Sequence, residues 1–190
     1  MGHGENAKFF AHAHAAYLRG TLLSLSESNK LQPVEVLSSL SDAITTDSVL
    51  NTTLLTCLGI SLNKNHIAIA SAGHPPAIGV DIEDTRHIQV DGGLLALSNT
   101  SKLEQKQITL KSTERLLLYS DGLFDAVIEK TQQVQYQKEC LHQIRMDINP
   151  DLTIAADEVM KLFDRESAGS PRDDATLILI EHEQRDYKPQ

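Results

Sequence analysis

Two acidic stretches, each joined to an apolar run, are where this chain could do chemistry. Arg115-Leu116-Leu117-Leu118-Tyr119 is followed at once by Ser120-Asp121-Gly122, and Arg172-Asp173-Asp174 leads into Ala175-Thr176-Leu177-Ile178-Leu179-Ile180. If the first run leaves a sheet where the second enters it, Asp121 meets Asp173 and Asp174. Three acidic oxygen donors at one sheet end repel each other unless something cationic neutralises them. Taken singly, each aspartate also reads as a turn former, because Asp at a strand end hydrogen-bonds its own backbone.

The elements that would position these residues follow from periodicity. The apolar run at Arg115 is too short for a helix and stops at Asp121-Gly122, which predicts a strand buried on both faces. The run after Asp174 is β-branched and apolar, which predicts a second strand over Asp173 to Ile180. Earlier, Ala7, Ala11, His14, Leu18, Leu22 and Leu25 recur at helical spacing and predict a helix from Glu5 to about Leu25. His12 and His14 are two apart and point to different faces, so His3, His12 and His14 do not read as a metal cluster; His14 is expected at the core edge and His12 exposed. Pro33 opens a second helix carrying Val36, Leu37, Leu40 and Ile44, and the two helices are expected to pack on one face of a sheet.

From Asn51 the pattern changes to strands: Thr52 to Leu62, a turn at Asn63-Lys64-Asn65, then His66 to Ser71. Ala72-Gly73-His74-Pro75-Pro76 interrupts, and further strands are expected over Ala77 to Val80, Arg86 to Val90 and Lys106 to Leu110. After Asp121, a short helical turn is expected over Leu123 to Ile128, with helices near Val134 to Met146 and Leu152 to Phe163. The last strand is expected to return to the centre of the sheet. Helices grouped in pairs around antiparallel strands predict an α+β domain.

Composition narrows the function classes. A length of 190 residues with 41% hydrophobic content is enough for a full core. The net charge of −9 disfavours nucleic acid, whose phosphates demand a basic face. Substrates arriving as phosphates would need a cation or a local positive pocket. No apolar run approaches the roughly 20 residues that cross a bilayer, and no basic-then-apolar leader opens the sequence, so no membrane partner and a cytoplasmic location are expected. Cys57 and Cys140 lack metal-type spacing and read as buried small hydrophobes.

Six stretches, in order, then resemble one family. They are Met1-Gly2-His3-Gly4 with its Ala-rich helix, Thr52 to Gly59, Ala70-Ser71-Ala72-Gly73-His74-Pro75-Pro76, Asp91-Gly92-Gly93-Leu94, Leu117-Leu118-Tyr119-Ser120-Asp121-Gly122, and Asp173-Asp174-Ala175-Thr176. Together they resemble the type 2C metal-dependent protein serine/threonine phosphatases in their bacterial RsbU-like and SpoIIE-like branch. The resemblance implies a four-layer α-β-β-α sandwich of antiparallel sheets. In the family, a strand pair and a metal-binding Asp precede the residues matching Met1 to Gly4. The expectation is therefore a phosphatase-like domain over 1–182 with its first strands missing, then a charged flexible tail over 183–190. Such a domain would expose a sheet edge and self-associate. Gly92-Gly93-Leu94-Leu95-Ala96-Leu97 departs from the family's Gly-x-Pro-Leu-Gly-like turn.

Chemically, the resemblance implies a two-metal site holding Mn²⁺ or Mg²⁺, with attack on phosphorus by a metal-activated water and no covalent phosphoenzyme. Asp121 and Asp173 match the family's catalytic metal ligands, and Gly2, through its backbone carbonyl, and Asp174 are further candidates. Gly122, Gly73, His74 and Thr176 match supporting positions. The implied activity is dephosphorylation of phosphoserine or phosphothreonine on a regulatory protein such as an anti-anti-sigma factor. The alternative is a catalytically impaired phosphatase-like scaffold acting as an interaction module, and the N-terminal helices are a candidate homodimer face.

Overall fold

The alternation that predicts strands and the three- to four-residue spacing that predicts helices both take shape in the structure. It is a computed structural model describing residues 5–27, 31–50, 54–95, 102–125, 130–167 and 173–182. The element order is α1 (Glu5–Glu27), α2 (Pro33–Thr46), β1 (Cys57–Asn63), β2 (His66–Ala72), β3 (Ala77–Val80), β4 (Thr85–Ile88), β5 (Gln105–Thr109), β6 (Arg115–Tyr119), α3 (Lys130–Ile144), α4 (Leu152–Ser167) and β7 (Leu177–Glu181). The chain divides into two compact units, Met1–His74 with Val90–Ile108 and Pro75–Gln89 with Thr109–Gln190.

In the first unit β1, β2 and β5 form a sheet in that order. The β1–β2 hairpin pairs Asn63 with His66, and Lys64 takes the turn with φ 56°. Helix α2 starts at Pro33, where a missing N–H costs nothing, and turns Leu37, Leu40 and Ile44 inward onto Ala70, Ala72 and Leu95. Phe10, Ala13, Tyr17 and Leu18 of α1 pack against the same cluster, so the two helices share one face as expected. Asp47 stops α2: its backbone N–H reaches Ile44 O, and its Oδ1 accepts the N–H groups of Val49 and Leu50. The Tyr17 hydroxyl donates to Asp47 Oδ2 at 2.5 Å and ties α1 to that end. As the helical spacing implies, His14 is buried and His12 exposed.

In the second unit the strand order is β4-β3-β6-β7, every neighbour antiparallel. Helices α3 and α4 cover one face. Tyr136, Cys140 and Ile144 from α3 and Val159 and Phe163 from α4 meet Ile78, Val80 and Leu117, with Leu177 and Leu179 at the margin. Leu116, Leu117 and Leu118 are all buried, so β6 is covered on both faces, each leucine contributing about 1.5–3 kcal/mol.

Several boundaries differ from the periodicity. β7 lies beyond β6 at the end of the described order, whereas the element order predicted a central position. It also begins at Leu177 and not at Asp173, because residues 173–176 bond to the turn after β6. β1 begins at Cys57, five residues after the predicted Thr52; Thr52 itself lies outside the described residues, and Leu55 makes an isolated bridge to Leu95. Helix α3 starts at Lys130, earlier than Val134, and α4 runs on to Ser167. The turn expected over Leu123 to Ile128 is a single 3-10 turn at Asp121–Leu123, and 126–129 fall outside the described residues, as do Met1 to Gly4 and 183–190.

Candidate active site

The register between β6 and β7 decides where the acidic residues fall. Tyr119 pairs with Leu177 and Arg115 with Glu181, so the exit of β6 lies beside the entrance of β7. One residue on, Ser120 stitches the two chains together. Its N–H donates to Thr176 O at 3.0 Å, its Oγ accepts the Thr176 N–H at 2.9 Å, and the hydroxyl donates to Asp174 O at 3.2 Å.

Asp121 then opens the 3-10 turn. Leu123 N–H bonds Ser120 O, and Phe124 and Asp125 N–H both reach Asp121 O. Gly122 sits so close to the opposite chain that an added Cβ would lie 2.5 Å from Asp174 O and 3.3 Å from the Asp173 Cβ. Asp121 and Asp173 therefore stand at one sheet end, as the two motifs implied. Each carboxylate is oriented by the backbone: Asp121 Oδ1 accepts the Gly122 N–H at 3.0 Å, and Asp173 Oδ1 accepts the Asp174 N–H at 2.8 Å. An ionised carboxylate has about four lone-pair sites, so one such bond leaves acceptor capacity for a cation or its waters.

Asp121, Asp173 and Asp174 are all exposed. Hard oxygen donors on solvent-facing, backbone-braced carboxylates fit Mn²⁺ or Mg²⁺, ions that keep several waters. Among the described residues no group of three or more His, Cys, Asp or Glu side chains converges on one ion position. Gly2 lies outside the described residues.

The remaining expected site residues divide between the two units. Thr176 joins Asp121 and Asp173 through its backbone bonds to Ser120. Gly73 and His74 belong to the first unit and organise the loop after β2. Gly73, at φ 64°, donates its N–H to Gly92 O at 3.1 Å. A Cβ on Gly92 would lie 1.8 Å from Ser71 O, so the Asp91-Gly92-Gly93 stretch is pressed against the Ser71-to-His74 stretch. The His74 N–H bonds Ser71 Oγ, and its Nδ1 lies 3.4 Å from the Thr56 hydroxyl.

Sequence reasoning missed Ser120, whose signal was its place between strand end and Asp-Gly. It also missed Arg115, wholly buried at the start of β6, which bonds Glu181 Oε2, Ile144 O, Asn149 O and Pro150 O. No helix among the described residues is long and apolar enough to cross a membrane.

The fold is similar to several solved structures. The PP2C domain of SiaA from Pseudomonas aeruginosa is 14% identical, over 96% of this chain and 72% of that one, with a TM-score of 0.78. For the phosphatase domain of the cell fate determinant SpoIIE from Bacillus subtilis the figures are 16%, 98%, 78% and 0.57. The RsbU and RsbW domains of Rv1364c from Mycobacterium tuberculosis are 18% identical over 94% of this chain and 48% of that one, with a TM-score of 0.70. Identities this low speak for the fold. No curated protein matches the sequence. The family model for stage II sporulation protein E (SpoIIE) matches residues 1–183, nearly the whole sequence, and the chain belongs to that family of PP2C-type phosphatase domains.

Proposed function

We propose that this chain hydrolyses phosphoserine or phosphothreonine on a regulatory protein in the cytoplasm, with Mn²⁺ or Mg²⁺ held by Asp121 and Asp173. Family membership supports a protein serine/threonine phosphatase. The observation that carries the site is the seating of Gly122 against Asp174 O, which sets the Asp121 and Asp173 carboxylates at the paired ends of β6 and β7. A divalent cation there would supply positive charge for the phosphoryl oxygens and lower the pKa of a water. This chain's own residues do the positioning. Asp121 is held by its turn and by the Gly122 N–H, Asp173 by the Asp174 N–H, and Ser120 keeps the two segments in register. The net charge of −9 makes such a cation the means by which a phosphorylated partner approaches an acidic surface. Asp174 and Gly2 are the secondary candidates, Asp174 fixed through its carbonyl by Ser120.

Regulatory context supports the substrate class. One similar structure contains an RsbU domain together with an RsbW domain, which favours a signalling partner such as an anti-anti-sigma factor. Exposed Leu22, Leu23 and Leu31 favour a homodimer through α1 and α2, and sedimentation velocity across a concentration series tests it.

The test of the site is Mn²⁺-dependent phosphate release from a phosphopeptide, measured with calorimetric Mn²⁺ titration. Asp121→Asn and Asp173→Asn are each expected to abolish release and weaken Mn²⁺ binding. Equal rates in variants and parent would sink the assignment; a parent with neither Mn²⁺ binding nor turnover would favour the scaffold reading.

A further inference from the structure

The turn that carries Asp121 is held from behind by α3. A short turn leaves its last carbonyls without partners inside it. Ser120 O and Asp121 O are taken by Leu123, Phe124 and Asp125 N–H groups, and two later carbonyls of the same segment are Leu123 O and Phe124 O. Both are met by side chains of α3. The Tyr136 hydroxyl donates to Leu123 O at 3.0 Å in a buried bond, and Gln133 Nε2 donates to Phe124 O and to Asp125 Oδ1, each at 3.1 Å. Gln133 and Tyr136 are three residues apart and so share one helix face.

The contact extends on both sides of these bonds. Phe124 stacks edge-on between Tyr119 of β6, with ring centroids 4.7 Å apart, and Tyr136, at 6.2 Å. One turn further along α3, Cys140 lies buried in the same cluster as Tyr136. Burial pushes the Cys140 thiol up to about 12 and raises Tyr136 as well, so the phenol that bonds Leu123 O keeps its proton at any physiological pH.

We propose that Gln133 and Tyr136 are positioning residues for Asp121, fixing from α3 the turn whose other side is braced by Gly122 against Asp174. The proposal rests on Asp121 being a metal ligand. A ligand held in place binds its ion more tightly than one that must first be ordered, and residues behind a ligand typically contribute about 10- to 100-fold in metal affinity. α3 thereby links the helical layer of the second unit to the acidic sheet end.

Two readouts on the purified protein test this: calorimetric Mn²⁺ affinity, and amide hydrogen exchange in the metal-free protein. Tyr136→Phe keeps the ring and removes only the hydroxyl. It is expected to weaken Mn²⁺ about tenfold and to speed exchange at the Phe124 and Asp125 amides, while the amides that pair β6 with β7 stay protected. Gln133→Ala, at a half-exposed position, is expected to act in the same direction and decides the matter if Tyr136→Phe does not fold. Val134→Ala, at an exposed position on the same helix, is the control and changes neither quantity. Parent-like affinity in both variants, with or without faster exchange, overturns the positioning role. A parent that binds no Mn²⁺ overturns the ligand reading instead, and the exchange data then still decide whether α3 holds the turn.

Discussion

Gly122 and Asp174 touch through backbone: a methyl group on the first would sit 2.5 Å from the carbonyl oxygen of the second. No side-chain rotation relieves that contact, so β6 and β7 must part at their Asp121–Asp173 end to admit Ala. Gly122→Ala is expected to cost about 1–3 kcal/mol in urea unfolding. It should also reduce Mn²⁺ affinity and phosphate release in the fraction that folds. A variant with parent stability and affinity would show that the two segments are not pressed together.

A second close approach lies in the first unit. Gly92→Ala would place its Cβ 1.8 Å from Ser71 O, again a backbone atom, whereas a Cβ on Gly73 would first meet the flexible end of Leu94 at 2.6 Å. Gly92→Ala should therefore unfold at lower urea than Gly73→Ala, even though the left-handed φ of 64° at Gly73 would strain an alanine by about 1–2 kcal/mol. The reverse order would mean that backbone strain outweighs the clash.

His14 sets an acid limit on α1. Burial lowers its imidazole below the ordinary value, against a smaller opposing effect from the Phe10 backbone. A group with a depressed folded pKa favours the folded state above its unfolded pKa, here about 6.5, and that contribution is lost as pH falls through the folded value. Parent stability should thus decline as pH falls below about 6.5 more steeply than that of His14→Leu. Urea midpoints across that window measure it, and parallel curves would exclude His14 as a source.

The parts of this fold that were legible in sequence were those set by local rules. The hairpin at Asn63-Lys64-Asn65, the Pro33 start of α2 and the buried run Leu116-Leu117-Leu118 follow from turn chemistry and periodicity, and each lies where expected. Asp121 and Asp173 were legible as a pair because strand ends with opposite polarity imply antiparallel neighbours. What stayed hidden depends on partners distant in sequence. Tyr136 falls inside the helix expected near Val134 to Met146 without any local mark, and its hydroxyl gains a role only from Leu123 O, thirteen residues earlier. β7 starts later than the expected Asp173 because Asp174 and Thr176, which lead straight into the apolar run, spend backbone bonds on Ser120. Nor does an arginine at a strand start announce that it will be buried.

That arginine yields the clearest separation of stability from binding. The Arg115 guanidinium is wholly buried and forks to Glu181 Oε2 at 2.8 Å, Ile144 O at 3.1 Å, Asn149 O at 2.7 Å and Pro150 O at 2.8 Å. Ile144 ends α3, where a cation also meets the negative end of the helix dipole. Arg115→Met fills much of the space but leaves three carbonyls and a carboxylate without their donor, and should cost about 3–5 kcal/mol. Arg115→Lys keeps the charge, yet a single ammonium cannot reproduce a planar fork, so most of that loss should remain. Both substitutions act at the end of β6 opposite Asp121. The folded fraction of either variant is therefore expected to bind Mn²⁺ as the parent does, in contrast to Gly122→Ala, which should lose stability and affinity together. Calorimetry below the unfolding transition, set beside urea midpoints, separates the two. Mn²⁺ affinity falling with stability in Arg115→Met would mean that the two ends of β6 are coupled through the strand.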